Sequence, residues 1–303
     1  MRPNSRSYRL AGLTVRVEAD LAITDATFRP HLRLFEHPTA APADLLIRHH
    51  FEPPGWKSVD LGERVYRRPP WAVFRRGDTW IYQGLLPPPR EREPWVLCVI
   101  DHGHSRADIY HADSRIFAAG GAESLSLLPT DQIVLGRTLA DHQAFYLHAG
   151  GLVIDGQGLV FAGHSGAGKS TLAKMLKGKG TELLCDDRVV VRRWPDGFRV
   201  HGTWSRGEVP DVSAGEGPLR RVFLLKKATA SRIVPLDDPR QGLRQLLPLV
   251  IRPLITADWW EKILAVAGEM VADVPVCRLE FDRTGDAKEL LRAYANEVLG
   301  APR

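Results

Sequence analysis

The alternation of apolar and polar positions changes character near residue 129. Between about residues 8 and 117, short runs rich in β-branched and aromatic residues are separated by turn signals, which is typical of strands joined by loops. Strands are predicted at residues 13–17, 71–74, 79–82 and 95–100, with turns at residues 76–78, 87–89 and 102–104. We therefore expect a β-rich N-terminal region over residues 1–128, with its tryptophans Trp71, Trp80 and Trp95 either exposed or in the core.

Residues 129–303 instead favour alternating strands and helices. Residues 130–146 carry apolar positions at helical spacing and predict a helix that begins near Thr130. Strands are predicted at residues 151–154, 159–162, 183–185 and 222–225, a hairpin at residues 188–201, and further helices near residues 239–251, 257–271 and 285–299. This alternation indicates an α/β region.

Residues 163–171 match the phosphate-binding pattern G-x-x-x-x-G-K-[ST] at each defined position. Glycines allow backbone N–H groups to surround phosphate oxygens, and the helix that follows offers its positive N-terminal end. We expect Lys169 to reach the β- and γ-phosphates and Ser170 to hold the metal, with ATP and Mg²⁺ as cofactors. The candidate nucleotide ligands are Gly163, His164, Ser165, Gly166, Ala167, Gly168, Lys169, Ser170 and Thr171. The alternative is a glycine-rich turn with an incidental lysine.

Two adjacent carboxylates, Asp186 and Asp187, end the apolar strand predicted after this motif. Adjacent side chains on a strand point to opposite faces, so one aspartate is expected to hold Mg²⁺ while the other accepts a proton from an attacking hydroxyl. The alternative is an acidic turn at a strand end.

His148 precedes the strand that leads into the motif, and as an imidazolium it would favour an ionised aspartate. Otherwise His148 is a structural histidine.

Composition limits the partners and the compartment. The 303-residue chain has 41 basic and 36 acidic residues without a dense basic run, so a nucleic-acid partner is not indicated. Its three cysteines lie far apart and lack metal-ligand spacing, which favours a reducing cytoplasm. The apolar stretches are shorter than the about 18 residues that a spanning helix needs, so a membrane is not expected as a partner.

His148, the 163–171 motif and Cys185-Asp186-Asp187 together resemble, in order and spacing, the catalytic domain of bacterial HPr kinase/phosphorylase. The resemblance covers roughly residues 130–300 and implies a phosphoenolpyruvate carboxykinase-like P-loop catalytic domain. It also implies that Asp187 is the general base toward a serine hydroxyl, supported by Asp186 and His148. Many relatives are oligomers, so the resemblance also allows a homo-oligomer.

The chain also departs from the family pattern. His164 stands where the family usually has an aspartate, and the Glu-x-Arg-Gly segment is replaced by residues 203–208, in which Glu208 is the nearest carboxylate that could serve the metal. The signature associated with the phosphorylase reaction is not recognisable.

Three functions fit these observations. The first is a kinase that transfers the γ-phosphoryl group of ATP to a serine-type hydroxyl of a protein or peptide, with residues 1–128 as a scaffold or for acceptor recognition. The second is a regulatory ATPase in which Glu208 or Asp187 orients water. The third is a small-molecule kinase or a carboxykinase-like enzyme.

Overall fold

A computed structural model shows a mixed α/β protein with two large sheets. The structure describes residues 4–52, 55, 59–87, 94–178, 180–253, 257–282, 287, 289–291 and 293–294. The chain divides into two compact units, Met1–Thr138 and Leu139–Arg303. This division falls within a helix, ten residues after the region boundary expected between residues 128 and 129.

The first unit is built on an eight-stranded sheet with strand order β1-β2-β3-β8-β7-β6-β5-β4. Strand β3 runs parallel to both of its neighbours, whereas the other neighbouring strands pair antiparallel. The elements are β1 (Ser5–Leu10), β2 (Leu13–Ala19), β3 (Leu45–His50), β4 (Glu63–Arg68), β5 (Trp71–Arg76), β6 (Thr79–Leu85), β7 (Pro94–Ile100), β8 (Arg106–His111) and α1 (Arg115–Ala119), with a 3₁₀ helix at Pro30–Phe35. The helix that contains the division between the units is α2 (Gln132–Asp141).

All four strands predicted for the N-terminal region are present, as β2, β5, β6 and β7. The prediction missed β1, β3, β4 and β8, which carry charged or polar residues at many positions; β4, at the sheet edge, is mostly exposed. The turns at 76–78 and 102–104 are confirmed as the connections after β5 and β7, and residues 88 and 89 of the third turn lie outside the described residues. Of the tryptophans expected to be either exposed or in the core, Trp80 is buried, and Trp71 and Trp95 are half-buried with ring centroids 6.1 Å apart.

The second unit contains a nine-stranded sheet in which seven strands follow the order β12-β10-β11-β15-β14-β13-β9, while β17 pairs with β15 and β16 with β17. Its elements are β9 (Ala144–Leu147), β10 (Ala149–Ile154), β11 (Gln157–Ala162), α3 (Lys169–Leu176), β12 (Thr181–Cys185), β13 (Val189–Trp194), β14 (Gly197–His201), β15 (Glu216–Lys227), β16 (Arg232–Pro235), α4 (Pro239–Leu246), α5 (Ala257–Asp273) and β17 (Val276–Phe281).

Strand directions bring four chain segments to one edge of this sheet. Strands β11, β15 and β17 run parallel to one another. Strand β10 runs antiparallel to both β11 and β12, so β12 points in the same direction as β11. The segments that follow β11, β12, β15 and β17 therefore all begin at the same edge, where ligands of open α/β sheets usually bind.

Helices cover both faces of the sheet because the buried strands carry apolar residues on both sides. On one face, Leu172 and Leu176 of α3 pack with Phe161 and Phe223. On the other face, buried residues of α5 share a core with the alternate strand positions, including Val160 and Val222. This arrangement holds β11 rigidly between two packed layers, and with it the loop that β11 feeds.

Local sequence signals predicted most of this unit. The turn between β10 and β11 has Asp155 and Gly156 at φ +48° and +78°, as a two-residue hairpin requires, and the hairpin of β13 and β14 is also confirmed. The helix predicted over residues 130–146 is wrong at its C-terminal end, because α2 stops at Asp141 and β9 then pairs with β13. The helix expected near residues 285–299 lies largely outside the described residues.

Within the described part of the chain, no helix has the length and apolar character needed to cross a bilayer. All three cysteines are buried as free thiols.

Candidate functional site

A glycine-rich loop, defined here as residues 163–168, connects β11 to α3. Gly166 and Gly168 adopt φ values of +76° and +106°, in the left-handed region that glycine occupies at little cost. A Cβ on Gly168 would also lie 2.6 Å from Cζ of Phe281, whereas a Cβ on Gly166 would meet nothing within 4 Å. Gly166 is thus required for its backbone conformation and Gly168 for both conformation and space.

Lys169 is the first residue of α3 and is largely buried. Its ammonium donates hydrogen bonds to the carbonyl oxygens of Gly163 and His164, at 2.9 and 3.2 Å. Burial lowers the pKa of Lys169, and the carboxylates of Asp187, Asp186 and Glu208 oppose this effect. The lysine is therefore a cation held at the loop and faced by three carboxylates.

Next to the loop lies a polar cavity of about 300 Å³. Its walls come from the loop and the start of α3, from the residue just before β10, from the two residues just after β12, and from the segment after β14. The lining residues are His148, Ser165, Gly166, Gly168, Lys169, Ser170, Thr171, Asp186, Asp187, Gly207 and Glu208. The structure thus brings together most of the residues that the sequence singled out. Gly163 and His164 instead present their carbonyls to Lys169, and Ala167 lines a second cavity.

Asp187 is partly exposed in the cavity and is paired with a cation that the sequence analysis missed. Nε of Arg188 lies 3.1 Å from one carboxylate oxygen of Asp187, and Nε2 of His148 lies 3.6 Å from the other. The second distance is too long for a hydrogen bond. The only signal for this ion pair in the sequence is the position of a basic residue, Arg188, directly after the two aspartates.

His148 is held by its backbone between the loop and the aspartate pair. Its N–H donates to the carbonyl of Leu249 and its own carbonyl accepts from Gly163, while the next residue, Ala149, donates to the carbonyl of Asp187. Burial, followed by the charge of Lys169, lowers the pKa of the imidazole below 6.5, with Asp187 opposing. Burial and the charge of Lys169 thus disfavour the imidazolium that was expected to favour the ionised aspartate.

Asp186 is buried, and both of its carboxylate oxygens accept backbone hydrogen bonds. The N–H of Gly207 donates to one oxygen at 2.9 Å and the N–H of Val209 donates to the other at 3.0 Å. A Cβ on Gly207 would lie 2.6 Å from the first oxygen. Asp186 therefore fastens the segment after β14 to the end of β12, a structural role that the sequence did not indicate.

Glu208 lies between the two residues that Asp186 holds, and its exposed side chain lines the cavity. Ser170, Asp186 and Glu208, the predicted metal ligands, thus share one cavity and offer the oxygen ligands that Mg²⁺ prefers. Among the described residues, no group of three or more His, Cys, Asp or Glu side chains is arranged to hold a metal by itself. A magnesium ion here would need oxygen ligands from a bound phosphate as well, as is usual for Mg²⁺ in nucleotide sites.

The family model described as SynChlorMet cassette protein ScmC matches residues 123–293, which is more than half of the chain. The chain belongs to the ScmC family. Every residue that lines the polar cavity falls within the part that the ScmC model matches. No curated protein matches the chain. Among solved structures, the Hpr(Ser) kinase/phosphatase from Coxiella burnetii aligns with 51% of this chain and 99% of its own length, at 20% identity and a TM-score of 0.32.

Proposed function

We propose that this ScmC-family protein is an ATP-dependent kinase that transfers the γ-phosphoryl group to a serine-type hydroxyl of a protein or peptide. The observation that carries the proposal is the composition of the polar cavity. The cavity is lined by the glycine-rich loop with Lys169 and Ser170 and also by Asp187, which is paired with Arg188. A triphosphate held by the loop and Lys169 would share this cavity with the carboxylate of Asp187.

Phosphoryl transfer depends mainly on positioning and on stabilisation of charge, and the cavity supplies both. The loop N–H groups and the N-terminal end of α3 bind phosphate oxygens, and Lys169 neutralises the charge that develops on them. Mg²⁺, held by Ser170 together with Glu208 or Asp186, would add further neutralisation. Asp187 accepts the proton of the acceptor hydroxyl, and Arg188 and His148 hold that side of the cavity in place.

The resemblance of His148, the 163–171 motif and the aspartate pair to HPr kinase/phosphorylase supports this assignment, and with it a phosphoenolpyruvate carboxykinase-like P-loop fold for residues 129–303. The description of the ScmC family names a cassette and no activity. The proposal therefore depends on the residues of the cavity, with residues 1–128 proposed to recognise the acceptor or to act as a scaffold.

A regulatory ATPase is the second candidate, and the position of Glu208 favours it. This exposed carboxylate lines the same cavity as Lys169, so it could orient a water molecule toward the terminal phosphate in the absence of an acceptor.

Incubation of the purified protein with γ-labelled ATP, Mg²⁺ and a cell extract separates the candidates. We expect label on a macromolecule, whereas release of free phosphate alone would favour the ATPase and a labelled metabolite a small-molecule kinase. Mass spectrometry of the labelled macromolecule then tests whether the phosphorylated residue is a serine.

Lys169→Ala should abolish the transfer and weaken ATP binding about tenfold to a hundredfold, because a hydrogen bond to a charged group contributes about 1.5–3 kcal/mol. The matched control is Lys174→Ala, which removes an exposed lysine from the same helix. Calorimetric titration with ATP measures both variants. Normal phosphorylation by Lys169→Ala would show that the glycine-rich loop is not the transfer site.

A further inference from the structure

A second cavity, of about 290 Å³, lies beside the end of the glycine-rich loop. It is mainly apolar and is lined by Ala167, Gly168 and Thr171 together with residues at the carboxyl ends of β15 and β17. Gly168 and Thr171 also line the polar cavity, so the two cavities meet at the start of α3. We call this second cavity the apolar cleft.

The chemistry of the apolar cleft differs from that of the polar cavity. Its apolar walls include Phe281, which packs against Gly168, and Ala228, whose backbone N–H donates to the carbonyl of Phe281 at 3.0 Å. Polar groups come from Lys227 and Asp282. An apolar pocket with a few polar groups suits a flat heterocycle that has hydrogen-bonding edges, and not a phosphate.

Topology places the cleft where the remainder of a nucleotide would lie. Strands β11, β15 and β17 are parallel, so the glycine-rich loop, the Lys227–Ala228 segment and the Phe281–Asp282 segment all follow carboxyl ends of strands at one edge. His148 and Asp187, which belong to the proposed acceptor side, line only the polar cavity. A triphosphate on the loop would therefore adjoin both cavities, with the proposed acceptor in the polar cavity and the apolar cleft free for the rest of the nucleotide.

We infer that the apolar cleft binds the base of the nucleoside triphosphate whose phosphates occupy the glycine-rich loop. This inference rests on the proposed function, since it requires a nucleotide at the loop. Burial of the base between Phe281 and Ala228 would then make the protein bind ATP more tightly than inorganic tripolyphosphate, which carries the same phosphate chain and no base.

Calorimetric titrations with ATP and with tripolyphosphate, both with Mg²⁺, test the inference on the full chain. The variant is Ala228→Phe, which fills the cleft from a half-buried position, and the matched control is Ala230→Phe at an exposed position in the same loop. We expect Ala228→Phe to weaken ATP binding at least tenfold while tripolyphosphate binding changes less than threefold. Ala230→Phe should bind both ligands like the wild type.

A second measurement uses a nucleoside triphosphate that carries the fluorescent base 2-aminopurine. Acrylamide quenches the emission of this base on contact. The wild type should protect the bound base from acrylamide, and Ala228→Phe should lose this protection. Equal affinity of the wild type for ATP and tripolyphosphate, or equal weakening of both ligands in Ala228→Phe, would overturn the inference while leaving a phosphate site at the loop. Failure of the wild type to bind either ligand would overturn the proposed function as well.

Discussion

At the scale of single residues, the aspartate pair shows how neighbours in sequence acquire different roles. Asp186 is 1% exposed and accepts two backbone hydrogen bonds, whereas the side chain of Asp187 is 21% exposed and faces the cavity beside Arg188. The strand β12 ends at Cys185, so both carboxylates lie in the connection that follows it. One carboxylate therefore holds a segment in place, and the other is available for chemistry.

Asp187→Asn should lower the transfer rate by about a hundredfold or more while ATP affinity stays within a few-fold, because a general base matters only when the hydroxyl attacks. Single-turnover rates and calorimetry measure the two effects. Asp196→Asn, on the exposed turn between β13 and β14, is the matched control. Undiminished transfer by Asp187→Asn would contradict its role as the base.

Asp186→Asn should behave differently from Asp187→Asn. In the variant, an amide N–H₂ replaces one of the two carboxylate oxygens that accept backbone hydrogen bonds. Two donors then face each other and the backbone N–H loses its acceptor, which should lower the free energy of unfolding by about 1–3 kcal/mol. We expect a lower melting temperature and a higher Mg²⁺ requirement. Equal loss of Mg²⁺ affinity in both aspartate variants would contradict the division of roles.

At the scale of elements, the functional groups come from connections that meet at one sheet edge. The segment after β14 is fastened at this edge by Asp186, which accepts hydrogen bonds from the backbone of Gly207 and Val209. Glu208 is therefore positioned through a contact between residues that lie far apart in the sequence.

Gly207→Ala tests this contact. The new methyl would lie 2.6 Å from Oδ1 of Asp186, so the segment must shift and carry Glu208 with it. We expect reduced transfer and a raised Mg²⁺ requirement with a correctly folded protein. Gly268→Ala in α5, where a Cβ meets nothing within 4 Å, should be neutral or stabilising in the same assays. Unchanged Mg²⁺ dependence in Gly207→Ala would show that the position of Glu208 is unimportant for the metal.

Two parallel strands of the first unit, β3 and β8, share a buried histidine pair. Nδ1 of His49 and Nε2 of His111 lie 3.0 Å apart, and Nε2 of His49 donates to the carbonyl of Leu125 at 2.9 Å. A carbonyl can only accept, so His49 is protonated at Nε2 and its Nδ1 accepts from His111. This pattern suits a neutral His49, and burial disfavours the charged form of His111.

Stability should therefore fall as the pH drops below about 6.5. Burial, with the neighbouring His111, lowers the pKa of His49 to about 3, and burial lowers that of His111 to about 4 with Asp113 opposing. Between about pH 6.5 and pH 4 the unfolded chain binds more protons at these rings than the folded chain, which favours unfolding. Melting temperatures across this range should fall in the wild type and fall less in a His49→Phe/His111→Phe variant. His102→Phe, at an exposed position, is the control, and a wild-type slope in the double variant would contradict this account.

At the scale of the whole molecule, the two units have separate sheets, and the candidate functional site lies within the second unit. Helix α2 spans the division between the units, and Ala140 near its end belongs to the core of the second unit. A fragment that begins at residue 129 therefore keeps α2 whole.

Expression of residues 129–303 alone tests the proposed division of labour. The fragment should bind ATP within a few-fold of the full chain, because the polar cavity and the apolar cleft come from its own strands, and it should lose phosphorylation of the acceptor. Calorimetry and the label-transfer assay measure the two properties. Full activity of the fragment toward the acceptor would refute a recognition role for residues 1–128.

The sequence by itself predicted the features that depend on neighbouring residues. The turn at Asp155–Gly156, the helix α3 with its buried Leu172 and Leu176, and the hairpin of β13 and β14 follow from glycine conformation and from apolar periodicity. It also predicted the residues of a candidate phosphate site, because the motif at residues 163–171 is continuous along the chain.

Only the tertiary structure decided what surrounds that motif. Placement of β10 between β11 and β12 brings Asp187 to the glycine-rich loop, Asp186 binds residues more than twenty positions further on, and Phe281 packs against Gly168 from the last strand of the sheet. The same packing buries His148 beside Lys169, which lowers the pKa of its imidazole. These outcomes depend on which strands pair and in which register, and pairing is set by burial across the whole sheet and not by any local run of residues.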